Sequence, residues 1–123
     1  MNTMKRTNAG DCYEVAGRFA LDRATGIGEK SFIGTPYLVH GEVSGQGELT
    51  GVRYGHAWVE DDFFVYDFSN KRELIFPKVL YYAIGNIVEE KPKYYRYTFD
   101  EANAFMTKTR QFGPWQLKTE SGL

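Results

Sequence analysis

The sequence predicts an α+β domain in which an N-terminal helix packs on an antiparallel sheet. Three observations carry this reading. Apolar residues recur at three- and four-residue steps from Cys12 to Ala20. Two alternating runs, residues 53 to 60 and 63 to 68, flank Asp61-Asp62. A later helical pattern runs through Ala102, Ala104, Phe105 and Met106. The 123 residues suit one domain, 1–123, with a single sizeable core.

Taken in order, Asp11 is placed to cap the first helix, whose inward face combines Cys12, Val15, Ala16, Phe19 and Ala20. Gly17 weakens that helix but permits close approach of a neighbouring element. Gly26 and Gly28 are expected to end it, and residues 29 to 36 read as a loop. Residues 37 to 43 read as the first strand, and Gly45, Gly47 and Gly51 mark an irregular connection. In residues 53 to 60, His56, Trp58 and Glu60 share one side while Ala57 and Val59 take the other. In residues 63 to 68, Asp67 falls on the face of Val65, and register decides whether it meets His56. Residues 72 to 84 carry helical spacing through Leu74, Ile75, Val79, Leu80 and Ala83, with Pro77 dividing the segment or beginning its helix and Gly85 stopping it. Residues 94 to 99 read as a last strand, with Asp100 capping the final helix. Gly113-Pro114-Trp115 breaks that helix, and residues 118 to 123 are expected to fray.

Charge is nearly balanced, with 15 basic against 16 acidic residues, so binding to nucleic acid through a broad basic surface is not expected. A small basic patch near Lys91, Lys93 and Arg96 is the exception. No apolar stretch approaches the roughly 20 residues that span a bilayer, and no membrane partner is expected. Lys5 and Arg6 precede no apolar segment, which points away from a secretory signal and toward the cytoplasm. One cysteine excludes an internal disulfide, and one cysteine with two histidines makes a structural zinc site an unsuitable expectation. No cofactor or metal is expected.

The chemistry-bearing residues are Cys12, His56 and Asp67. A thiol at a helix N-terminus meets unsatisfied backbone N–H groups and the positive end of the helix dipole, which favour the thiolate. An imidazole can take the thiol proton, and an acid on the opposite ring nitrogen orients that imidazole. Cysteine at a helix start, histidine on one strand and acid on the adjoining strand supply this set. The Cys12 backbone N–H is a candidate oxyanion donor, with Asn8 and Gln46 the available side-chain amides. Structural roles compete: a cysteine on an apolar helix face is usually core, Asp67 can cap the Ser69-Asn70 turn, and Trp58, Tyr54 and Tyr66 can simply pack. His40, in an apolar strand without the paired downstream acid strand that follows His56, reads as structural.

Gly10-Asp11-Cys12 with its helix, Gly55-His56-Ala57-Trp58-Val59 and Tyr66-Asp67 together resemble bacterial transglutaminase-like cysteine peptidases of the papain-like superfamily. The resemblance covers Asp11 to Asn70. It implies a compact papain-like fold, Cys12 as nucleophile, His56 as general base and Asp67 as orienting acid. The activities implied are those of peptidases, amidases and acyl transferases acting on peptide, protein or small amide substrates. Small size suggests, by analogy, a bacterial or phage-encoded accessory protein. Tyr13 departs from the acidic residue often found after the nucleophile in that group.

A cysteine-dependent acyl hydrolase is therefore the leading expectation. The competing one is a noncatalytic binding or inhibitory protein on the same scaffold, with Trp58, Tyr54, Tyr81, Tyr82 and Trp115 facing a protein partner. Residues 45 to 51 offer a glycine-rich cradle for an anion, but lack the Gly-Lys-Ser/Thr ending of a phosphate loop.

Overall fold

The computed structural model describes residues 11–24 and 32–119. The expected positions at Asn8, Gly10, Gly26 and Gly28 lie outside them. The elements run α1 (Cys12–Ala24), β1 (Tyr37–Ser44), β2 (Arg53–Glu60), β3 (Phe64–Asp67), β4 (Leu74–Pro77), α2 (Lys78–Ile84), β5 (Tyr94–Thr98) and α3 (Phe99–Thr109). The strands form one antiparallel sheet in the order β4-β3-β2-β1-β5. This is the expected α+β arrangement, with the N-terminal helix packed against the sheet.

The alternating strands give the sheet two apolar faces. On one, Leu38, Ala57, Val59, Tyr66 and Tyr97 meet Cys12, Ala16 and Ala20 of α1 and Ala102 and Met106 of α3. On the other, Val39, Val43, Trp58, Val65 and Tyr94 meet Tyr81 and Tyr82 of α2. Gly17 allows the close approach expected of it. A Cβ built there would lie 2.7 Å from Phe112 Cδ1, in the segment after α3, and 3.3 Å from Met106 Sδ of α3, so the missing atom lets Phe112 close over α1.

In residues 72 to 84 the helix begins after Pro77, as expected, but the part before it is a strand and not helical. Leu74–Pro77 is an edge strand, pairing Val65 with Phe76 and Asp67 with Leu74, and α2 begins only after Pro77. Proline is tolerated here because an edge strand does not need its missing N–H. Gly85 ends α2 as expected, its N–H donating to Tyr81 O at 3.0 Å. Asp100 is not the cap of α3. Thr98 is, in a capping box where Thr98 Oγ1 accepts from Glu101 N at 3.1 Å and Glu101 Oε1 accepts from Thr98 N at 2.9 Å.

The β2–β3 connection is organised by Asp61, which accepts from Phe63 N, Phe64 N, Ile33 N and the Tyr66 hydroxyl. At the other end of β2, residues 45 to 51 form a short loop with a single 3-10 turn at Gly47–Leu49 and left-handed backbone at Gly47 and Gly51. Beyond α3, the start of the tail is held rather than frayed: Trp115 stacks on Phe105, and Lys118 N donates to Pro92 O at 2.8 Å. Among the described residues, no helix is long and apolar enough to cross a membrane.

Candidate functional site

The site forms where β3 leaves β2. Their ladder pairs Val59 with Tyr66 and Glu60 with Val65, after which Asp67 ends β3 on the face it shares with His56 and Trp58. Here the register question is settled. His56 Nε2 and Asp67 Oδ2 are 2.8 Å apart, with both side chains almost wholly buried.

Asp67 is the hub of this cluster. Its Oδ2 also accepts from Tyr81 Oη at 2.9 Å and Arg72 Nη2 at 3.1 Å. Its Oδ1 accepts from Ser69 Oγ at 2.6 Å and Ser69 N at 3.1 Å. The two sequence readings of Asp67 thus coexist: one oxygen closes the Ser69 turn while the other holds the histidine. Burial works against the Asp67 charge, but hydrogen bonding to His56, the His56 charge and the hydroxyls of Ser69 and Tyr81 hold its carboxyl far below the usual range.

Burial likewise opposes a charged His56. Its hydrogen bond to Asp67 and the influence of Cys12 outweigh that effect and raise the ring well above the ordinary imidazole value. Cys12, a free cysteine at the first residue of α1, is 2% exposed. His56 Nδ1, the nitrogen turned away from Asp67's bond, is buried without a hydrogen-bond partner. Cys12 nonetheless acts on the ring from hydrogen-bonding range as well as by charge, although the sulfur–imidazole geometry falls short of a well-formed hydrogen bond. Cys12 and Asp67 border the same water-sized space of about 10 Å³, beside Trp58, Phe68 and Ser69.

A much larger cleft, of about 530 Å³, reaches the other side of the site and is lined by His56, Tyr54, Asn70, Arg72 and Tyr81. Its walls come from the 45–51 loop, β4 and the end of α2. Tyr54, which the sequence offers as a packing residue, a partner to polar groups or part of a recognition surface, borders this cleft. It lies 6.0 Å from His56, ring to ring, and its hydroxyl is raised by burial and then by the charges of Cys12 and Asp67, against Arg72. Gln46 also lines the cleft, but its amide donates to Ser44 O and Ile84 O at 3.3 Å, so it is committed to the loop.

Arg72 and Tyr81 reach Asp67 from the turn before β4 and from α2, and the helical spacing of residues 72 to 84 gives no sign of the strand that carries the chain back along β3. The sole local signal was Asp67-Phe68-Ser69, a spacing suited to a side-chain-closed turn.

Several aromatic residues expected to face a partner are turned to internal uses. Trp58 is 0% exposed and donates to Glu60 Oε1 at 2.9 Å. Tyr82 bonds Glu60 at 2.6 Å and Tyr94 at 2.7 Å, while Trp115 packs on Phe105 and His40. The basic patch is also engaged: Arg96 lies 4.0 Å over the Tyr37 ring and Lys91 lies 5.5 Å over Tyr95. His40 is structural in its setting, enclosed by Tyr13, Tyr97 and Trp115. Among the described residues, no group of three or more His, Cys, Asp or Glu side chains is arranged to hold a metal ion.

No family model, curated protein or solved structure matches this chain.

Proposed function

We propose that the protein is a cysteine-dependent acyl hydrolase, an amidase or peptidase of transglutaminase-like, papain-like design, using Cys12, His56 and Asp67. The observation that carries the reading is the 2.8 Å His56–Asp67 bond beside Cys12 at the start of α1, with both neighbours favouring a charged ring.

In the reaction, the Cys12 sulfur, its proton already resting on His56, attacks the carbonyl carbon. The C–N bond then breaks as His56 passes that proton to the leaving nitrogen, giving an acyl thioester and a free amine. Water, deprotonated by His56, attacks the thioester; the C–S bond breaks and the carboxylic acid leaves. Asp67 stays ionised throughout and holds the ring. The backbone N–H of Cys12 is the candidate donor to the oxyanion.

Because Cys12 is 2% exposed, this chemistry requires the start of α1 to admit a carbonyl. Iodoacetamide labelling followed by intact mass measures that admission directly. The native thiol is expected to label rapidly at neutral pH and His56→Ala to label more slowly. With p-nitrophenyl acetate, the native protein should gain one acetyl group on Cys12. An unreactive thiol, or labelling and acetylation indifferent to His56→Ala, rejects the proposal.

A binding protein on the same scaffold is the second reading. It is favoured by exposed Phe63, Ile75, Val79 and Leu80, gathered where Lys78 N donates to Phe63 O. An inert thiol, with a partner's affinity unchanged by Cys12→Ser, is the result that selects it.

A further inference from the structure

The cleft beside His56 has a composition that the proposed reaction does not require. Leu49, Val52, Leu74, Phe76 and Ile84 supply apolar wall, and among the described residues Arg72 is the only permanently charged side chain lining it. At about 530 Å³, it falls within the roughly 300–1000 Å³ of pockets that enclose drug-sized ligands. Arg72 is fixed at one corner, where Nη2 bonds Asp67 at 3.1 Å, yet its side chain remains 52% exposed. Guanidinium carries five donors, and this contact uses one, leaving the fork able to receive an anion.

The position of the cleft assigns it to one side of the scissile bond. His56 lines it and Cys12 does not. The atom that His56 protonates is the leaving nitrogen, so the group carried by that nitrogen is the part of the substrate that lies on the histidine side.

We propose that this cleft binds the leaving group of the substrate, and that the leaving group is an apolar amino acid with a free carboxylate. The side chain fills the apolar walls and the carboxylate sits on Arg72. The substrate class is then an N-acyl apolar amino acid, or a peptide ending in one. This rests on the hydrolase reading above. Bond changes are those already given: the acyl C–N bond breaks, His56 delivers one proton to nitrogen, and the amino acid departs as the amine.

The test separates binding from catalysis by using Cys12→Ala protein and titration calorimetry. The probes are N-benzoyl-leucine, N-benzoyl-leucinamide and N-benzoyl-lysine. N-benzoyl-leucine is expected to bind about tenfold more tightly than either other compound, because only it pairs an apolar side chain with an anion. Arg72→Gln should bring the leucine acid and its amide to equal affinity, whereas Arg72→Lys should retain part of the preference. Ile84→Asp, at the half-exposed rim, should weaken both leucine compounds without unfolding the protein. Equal binding of acid and amide by Cys12→Ala protein, preference for the lysine derivative, or no binding overturns the assignment. A reactive thiol with no such binding removes this inference and leaves the hydrolase reading. The expected binding with an inert native thiol removes the hydrolase reading and leaves an anion-selective binding cleft.

Discussion

The Asp11 carboxylate accepts a hydrogen bond from the Asn70 backbone N–H at 2.8 Å, across fifty-nine residues of sequence. Asn70 adopts left-handed backbone, φ 55° and ψ 35°, in the turn that follows Asp67. The residue before the thiol is thus tied to the turn behind the acid, and the spacing between α1 and the His56–Asp67 pair depends on this link as well as on apolar packing. Asp11 also serves the helix itself, its carbonyl accepting from Val15 N at 2.9 Å.

Asp11→Ala is therefore expected to cost about 1 kcal/mol of stability, the usual scale for one side-chain hydrogen bond or cap. It should also slow alkylation of Cys12 more than Glu14→Ala, which removes only the surface pair with Arg18 on the same helix. Thermal melts and labelling rates measure both. Equal labelling by the two variants would show that the link does not position the thiol.

The parts of the site legible in the sequence are those carried by local pattern. Alternation placed His56 with Trp58 and Asp67 with Val65, and the single cysteine followed a capping residue. Register was not legible, because a two-residue shift of β3 preserves its face while moving Asp67 along β2. The tyrosine and arginine that complete the acid's surroundings were hidden for a different reason. Leu74, Ile75 and Val79 match helical spacing, yet Leu74–Pro77 gains a ladder against β3 that a helix would forgo. Thr98 was passed over as a cap because Asp100 is also a good capping type; Glu101, three residues after Thr98, was the deciding signal.

The His56–Asp67 pair fixes two pH limits of opposite sense. His56 is raised from 6.5, so the folded protein holds a proton that the unfolded chain releases. Its contribution is complete below pH 6.5 and declines as pH rises above that value. Asp67 is lowered from 3.8, so its contribution is complete above pH 3.8 and declines as pH falls below it. Urea unfolding across pH 3 to 10 should show both declines. Asp67→Ala should flatten both and destabilise the neutral protein by about 3–5 kcal/mol, by stripping a buried ring of its partner. An unchanged alkaline limb in this variant would mean that His56 is not held charged by Asp67.

His40 acts in the reverse direction. It is 0% exposed, both ring nitrogens lack a hydrogen-bond partner, and burial pushes its pKa down from 6.5 to about 3. The unfolded chain binds the proton first, so this residue adds stability above pH 6.5 that is lost as pH falls toward 3, at up to about 1.4 kcal/mol per pH unit. His40→Phe keeps an aromatic ring among Tyr13, Tyr97 and Trp115 and removes the unpaired nitrogens. The variant should be at least as stable at pH 7 and less sensitive to acid between pH 3 and 6.5. A parallel acid limb in the two proteins would show that His40 does not titrate on unfolding.

Tyr54 offers the sharpest separation between a catalytic and a packing role. Its hydroxyl feels both Cys12 and Asp67, and its ring lines the cleft beside His56. A phenol in that position can donate to charge developing on a carbonyl oxygen once sulfur has attacked, and such donors contribute roughly 100- to 1000-fold in kcat. Tyr54→Phe preserves the ring against Val43 and Trp58 while removing only the donor. Stability should change by less than about 1 kcal/mol, and iodoacetamide labelling should be little altered, because alkylation develops no oxyanion. Acetylation by p-nitrophenyl acetate should fall at least about tenfold, since that reaction passes through a tetrahedral oxyanion. If labelling and acetylation fall together, Tyr54 holds the thiol in place instead; if neither falls, it is a wall of the cleft and nothing more.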